Sequence, residues 1–146
     1  MAMKLEKIER LLKAAVNKAE QMDIKITTAF VDEGGHLKAL IRMDEACFGD
    51  IDFAINKAYT AAAWQTDSGN FYQDSLPTGD FFGIHFSNHQ KVATFTGGMP
   101  IFESGELAGA VGVSGGTREQ DQMCLDEIKK ILVKENNGKH EYSGVC

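Results

Sequence analysis

The order of patterns along this chain predicts an α+β fold: an antiparallel sheet of about five strands with helices packed on it. Two observations carry the prediction. Helical spacing occurs at both ends and once in the middle of the chain, whereas β-branched runs come in pairs joined by glycine-bearing turns. Strands that arrive as hairpins, segregated from helices, build antiparallel sheets and not the parallel sheets of βαβ proteins.

Each element has its own signal. Leu5, Ile8, Leu12, Ala15, Ala19 and Met22 recur at three or four residues, with Lys4, Lys7, Arg10, Lys13 and Asn17 opposite, so the first helix turns one apolar stripe to a core. The period then changes. Ile24 to Val31 is β-branched, and in His36 to Met43 the residues Leu37, Ala39, Ile41 and Met43 alternate with their neighbours. Asp32-Glu33-Gly34-Gly35 between the two runs supplies turn chemistry, which makes a hairpin. From Asp50 to about Gln65 a second helix is predicted, dense in alanine and suited to close packing. Thr66 to Gln90 mixes Pro77 and three glycines with Phe71, Tyr72, Phe81, Phe82 and Phe86; so many aromatics argue for short helical turns and ordered loop, not disorder. Three strands follow, Lys91 to Phe95, Pro100 to Glu103 and Glu106 to Ser114, the last two joined at Ser104-Gly105. Thr117-Arg118-Glu119-Gln120 is a capping box, and a helix bearing Cys124, Leu125, Ile128, Ile131 and Leu132 runs to about Lys134. Asn136-Asn137-Gly138 ends it.

Size and charge narrow the possibilities. At roughly 150 residues per domain, the 146 residues read as one domain, 1–146, with a polar tail over 135–146. A chain of this size buries about 68–70% of its unfolded surface and needs no staple or structural metal. The net charge is −6, and its 15 basic residues are dispersed, so nucleic acid is not an expected partner. No run approaches the ~18 apolar residues of a membrane span, and the N-terminus breaks its apolar residues with charges, unlike a signal peptide. Cys47, Cys124 and Cys146 are odd in number and far apart, which suits reduced thiols in a cytoplasm. Cys47 and Cys124 read as small buried hydrophobes.

Glycine is the densest chemical signal. Thr96-Gly97-Gly98-Met99-Pro100-Ile101 and Gly109 to Thr117 place backbone-exposing residues around two strands and a helix start. Glycine inside a strand marks close approach of a ligand or of another backbone. Ser114, Gly115 and Gly116 before a helix offer N–H groups and a positive dipole end to a carboxylate or phosphate. The alternative is that Gly109 and Gly112 admit a packed helix or a second subunit. No lysine follows these glycines as in a Walker loop, and G-x-G-x-x-G is absent.

Five motifs in register, Asp32–Gly35, Arg42–Ala46, Asn56–Ala61, Gly97–Ile101 and Gly109–Gly116 with Gln120-Asp121 behind, resemble the GlcG/HbpS family of haem-binding-type proteins over about residues 5–133. That family includes the C-terminal domain of PduO-type cobalamin adenosyltransferases and small proteins of diol, glycerol and glycolate operons. The resemblance implies a profilin- or PAS-like fold, homo-oligomers from dimer to octamer, and a bound tetrapyrrole, haem or a corrinoid, in some members. One departure is Thr96, which stands where the family commonly has a third glycine and would narrow a pocket there.

Haem asks for an axial ligand at an apolar wall. His85 and His89, beside Phe81, Phe82 and Phe86, are the candidates, against the alternative of loop histidines bonded to backbone. His36 at a hairpin tip and His140 in the polar tail read as solvated. Met99 or Met43 as a weak second ligand competes with core packing. Together with Lys57, Gly97, Gly98, Ser114, Gly115 and Gly116, these two histidines form the candidate cofactor site, with no metal site of the chain's own. Two rival functions remain. One is an enzyme for a small hydroxy acid or aldehyde, built from Lys57, Arg42 and the Ser114–Thr117 helix start with Asp32, Glu45 or Asp121. The other is a non-catalytic assembly subunit.

Overall fold

The structure, a computed structural model, describes residues 2–135. Helix α1 spans Leu5–Gln21, strands β1 Thr27–Val31 and β2 Leu37–Arg42 form the first hairpin, and helix α2 spans Gly49–Trp64. Four short 3₁₀ turns fill 68–90; then come β3 Gly98–Glu103, β4 Glu106–Ser114 and helix α3 Arg118–Glu135. The sheet order is β2-β1-β4-β3, antiparallel throughout.

The sheet has four strands, not the five expected from sequence. Lys91–Phe95 is irregular because its backbone groups find side-chain partners instead of a ladder. The Ala93 N–H donates to Thr60 Oγ1 of α2 at 2.9 Å, and the Phe95 carbonyl accepts from Ser68 Oγ at 2.5 Å. Backbone groups satisfied in this way have no need of a neighbouring strand. Pro100, which lacks an N–H, sits in β3 at the sheet edge, where such a residue is tolerated.

Turns follow the local chemistry. Asp32 Oδ1 accepts from the Gly34 and His36 N–H groups at 2.9 and 3.0 Å, which closes the first hairpin. Ser104 and Gly105 both take positive φ, as a tight hairpin turn demands. The capping box forms in both directions, with Gln120 N–H on Thr117 Oγ1 and Thr117 N–H on Gln120 Oε1.

Helices cover both faces, so every residue of β1 is buried. On one face α1 and α3 pack together over Phe30, Met99, Ile101, Val111 and Val113, with Ile8, Leu12, Leu125 and Ile128 completing the core. Cys124 is buried there as expected, but Cys47 is exposed, because it precedes α2 in an outer loop. Cys146 and His140 lie outside the described residues. On the other face α2 lies close to the sheet through Ala58, Ala61 and Ala62 against Val31 and Ala110. Two cross-strand glycines, Gly98 and Gly112, make that approach possible. A Cβ on Gly112 would overlap the Ala54 carbonyl oxygen, and one on Gly98 would overlap that of Lys57. The glycine-rich strands therefore seat a helix of the same chain.

Candidate functional site

Because α2 is drawn down onto the sheet, its N-terminal half forms one side of a cleft of about 740 Å³. Asp50, Phe53 and Lys57, at i, i+3 and i+7, line it from one face of the helix. Tyr72 comes from the 3₁₀ turns, Phe95 and Thr96 from the irregular segment, and Ser114, Gly115 and Gly116 with Arg118, Glu119 and Asp121 from the β4–α3 junction.

The floor is polar and pre-paired. Lys57 Nζ donates to the Val113 carbonyl at 2.9 Å and to Asp121 Oδ2 at 3.2 Å, with both side chains buried. Asp121 Oδ1 accepts from the Gly116 N–H at 2.9 Å, and Ser114 Oγ donates to Asp50 Oδ1 at 2.7 Å. Burial raises the Asp121 carboxyl above its ordinary value; the ammonium of Lys57 and the Gly116 N–H oppose that, and the charge of Asp50 adds to it. The wall is aromatic. Phe53 and Phe95 meet edge to face at 5.6 Å between centroids, and Tyr72 lies 6.1 Å from Phe95. These three rings are 43%, 46% and 36% exposed, so the wall presents apolar surface to the open cleft.

A second cavity of about 480 Å³ shares the Phe53 and Phe95 wall and contains His85 and Phe86. The structure thus divides the residues singled out from sequence. Lys57, Ser114, Gly115 and Gly116 line the main cleft, whereas His85 lies in the neighbouring one. His89 is exposed and lines neither of the two, and the same holds for Phe81 and Phe82. Gly97 and Gly98 sit behind the lysine: a Cβ on Gly97 would stand 2.8 Å from Lys57 Cδ and Nζ. Met99 is in the core, and Met43 Sδ accepts from the Ile26 N–H at 3.3 Å.

The anion sought at the α3 start proves to be the chain's own. Gly116 and Thr117 give their N–H groups to Asp121 and Gln120, so those donors are already spent. Arg42 is likewise committed elsewhere, donating from Nε and a terminal nitrogen to the Ala46 carbonyl at 3.1 and 2.9 Å. Asp32 closes a hairpin, and Glu45 lies in the turn before α2, so neither reaches the cleft. Sequence reasoning missed Asp50, Phe53, Tyr72, Phe95 and Arg118. The spacing of Asp50 and Phe53 to Lys57 was a usable signal; Phe95 was hidden by reading its segment as a strand.

Fold and cleft together place the chain among small α+β proteins whose helix-covered antiparallel sheet carries a partly aromatic cleft at one strand end. It belongs to the HbpS-like family: the family model, described as haem degrading protein HbpS-like, matches residues 3–129. The chain is 34% identical over 118 residues to a 15.0 kDa protein of the dhaT-dhaS intergenic region of Citrobacter freundii, covering 81% of this chain and 83% of that one. It is 30% identical over 141 residues to the corrinoid adenosyltransferase PduO of Salmonella typhimurium, covering 97% of this chain but 41% of that longer protein. A crystal structure of a PduOC:heme complex superposes with a TM-score of 0.83 at 30% identity, covering 88% of this chain and 93% of that one. Among the described residues, no helix is long and apolar enough to cross a membrane.

Proposed function

We propose that this protein binds a tetrapyrrole, haem or a corrinoid, against the aromatic wall shared by the two cavities. The observation that carries the reading is the exposure of Phe53, Tyr72 and Phe95 on a cleft whose volume lies within the roughly 300–1,000 Å³ of small-molecule sites. A flat macrocycle is the kind of ligand that covers three such rings at once. Lys57, Ser114, Gly115 and Gly116 form the polar floor, and Gly97 and Gly98 leave room for the lysine behind it. Among the described residues neither histidine nor cysteine lines the main cleft, so an axial contact to iron falls to Tyr72 within it or to His85 across the Phe53–Phe95 wall. His85, which lines the second cavity, is the axial ligand of this reading, with His89 as a neighbour on the same loop. Kinship with PduO and the PduOC:heme complex supports the ligand class.

The remaining parts of the reading are a homo-oligomer, dimer to octamer, a cytoplasmic setting and a link to diol, glycerol or glycolate metabolism. The exposed Phe48, Phe81, Phe82 and Phe86 support the first of these. Titration with hemin and with a corrinoid tests the function. A Soret shift that is lost in His85→Ala supports histidine-ligated haem; no spectral change with either ligand overturns tetrapyrrole binding.

A second reading, an enzyme for a small hydroxy acid or aldehyde, draws on the burial of Lys57 within the cleft. Borohydride treatment in the presence of an aldehyde would leave a mass adduct on Lys57 if its amine forms an imine. An unmodified Lys57 counts against that role.

A further inference from the structure

The geometry points to a ligand that presents a primary carboxamide, not a carboxylate, to the floor of the cleft. This rests on the proposed binding in the cleft and specifies the chemistry its polar end reads.

The donors and acceptors there are unevenly spent. An ammonium has three N–H donors. Lys57 places two of them on chain acceptors, the Val113 carbonyl and Asp121 Oδ2, and its side chain is 5% exposed on the cleft wall. The third donor, beside the Phe53 ring whose centroid lies 5.9 Å from Nζ, is the one left to a ligand acceptor. Beside it, Ser114 has given its hydroxyl proton to Asp50, so Ser114 Oγ is left as an acceptor with a carboxylate behind it. Val113 and Ser114 are consecutive residues of β4, which sets this donor and these acceptors side by side at one strand end.

One donor next to acceptors complements a primary amide: the amide oxygen accepts from Lys57, and the amide NH₂ donates to Ser114 or Asp50. A carboxylate has no proton to give there and sets its lone pairs against theirs. Charge favours the same choice. The cleft is lined by three carboxylates, Asp50, Glu119 and Asp121, against two cations, Lys57 and Arg118, in a protein of net charge −6. A neutral amide avoids that field, whereas an added carboxylate works against it. The class is therefore a flat, largely apolar ring bearing carboxamide side chains. Among tetrapyrroles this favours the amide-rimmed corrin over haem with its two carboxylates.

Nicotinamide and nicotinate, which differ only in the group concerned, test the inference when titrated into the purified full chain with NMR detection. Nicotinamide is expected to bind about tenfold more tightly, the scale of one hydrogen bond to a charged group. Asp50→Ala and Ser114→Ala, each checked for folding by circular dichroism, are expected to reduce that preference severalfold. No nicotinamide binding, equal or tighter binding of nicotinate, or a preference unchanged in both variants overturns the inference. Hemin and cobinamide titrations alongside separate it from the functional reading. A spectral shift without amide preference overturns the inference and leaves tetrapyrrole binding standing. Amide preference without any shift supports the inference and overturns tetrapyrrole binding.

Discussion

Lys57 and Asp121 show how a single pair ties the site to the fold. A buried ion pair contributes little net stability, but removing one partner strands the other charge and costs about 3–5 kcal/mol. Lys57→Met is expected to lose stability on that scale in urea unfolding, and Lys57→Met/Asp121→Leu to lose clearly less than Lys57→Met alone. Asp121 is raised from 3.8 chiefly by burial, so over the window above that value the folded protein holds more protons than the unfolded chain. Its contribution is full below pH 3.8 and declines as pH rises through the raised value; Asp121→Asn should flatten that part of the stability profile. The cysteines make a second contrast. Burial pushes the Cys124 thiol up to about 12, whereas Cys47 is exposed. Iodoacetamide followed by peptide mapping should label Cys47 in the native protein and Cys124 only after unfolding. Stability should also fall between pH 9 and 12 as unfolded Cys124 ionises ahead of the folded one, a loss that Cys124→Ala removes.

At the scale of elements, local signals and tertiary demands agreed where each element satisfied its own backbone. Both hairpin turns, the capping box and the stripe of α1 were readable because residues close in sequence determine each of them. Lys91–Phe95 was not readable, since its hydrogen-bond partners are Thr60 and Ser68, some thirty residues away in sequence. The glycines of β3 and β4 were legible as points of close approach, with a ligand, a packed helix and a second subunit all left open. The structure identifies helix α2, with the Gly112 Cα facing the Ala54 carbonyl. Gly112→Val is accordingly expected to destabilise by about 3 kcal/mol or more, as overpacking does. Its loss of stability should come with a disturbed cleft, because α2 carries Asp50, Phe53 and Lys57. Chemical denaturation and ligand titration of the same variant read the two effects.

For the whole molecule, covering both faces of a four-stranded sheet leaves the aromatic residues of the 68–95 region with no core to enter. Tyr72, Phe86 and Phe95 line the two cavities, Phe71 packs edge to face on Trp64 and Phe81, and Phe81, Phe82 and Phe86 remain exposed. If these rings are covered in a homo-oligomer, Phe82→Ser/Phe86→Ser should lower the assembly mass measured by sedimentation velocity while leaving the circular dichroism unchanged. An unchanged mass removes these rings from any subunit interface.

The sequence alone determined the α+β class, the helices and hairpins, the burial of Cys124 and the family, because these rest on short-range periodicity, turn chemistry and contiguous motifs. It also brought Lys57, Ser114, Gly115 and Gly116 into one candidate site. Only the tertiary structure decided that the fifth strand does not form, that Arg42 is spent on its own loop while Arg118 lines the cleft, and that His85 stands apart from Lys57. Those outcomes depend on which distant groups satisfy a backbone or a charge, and such pairings exist only once α2 has settled onto the glycines of the sheet.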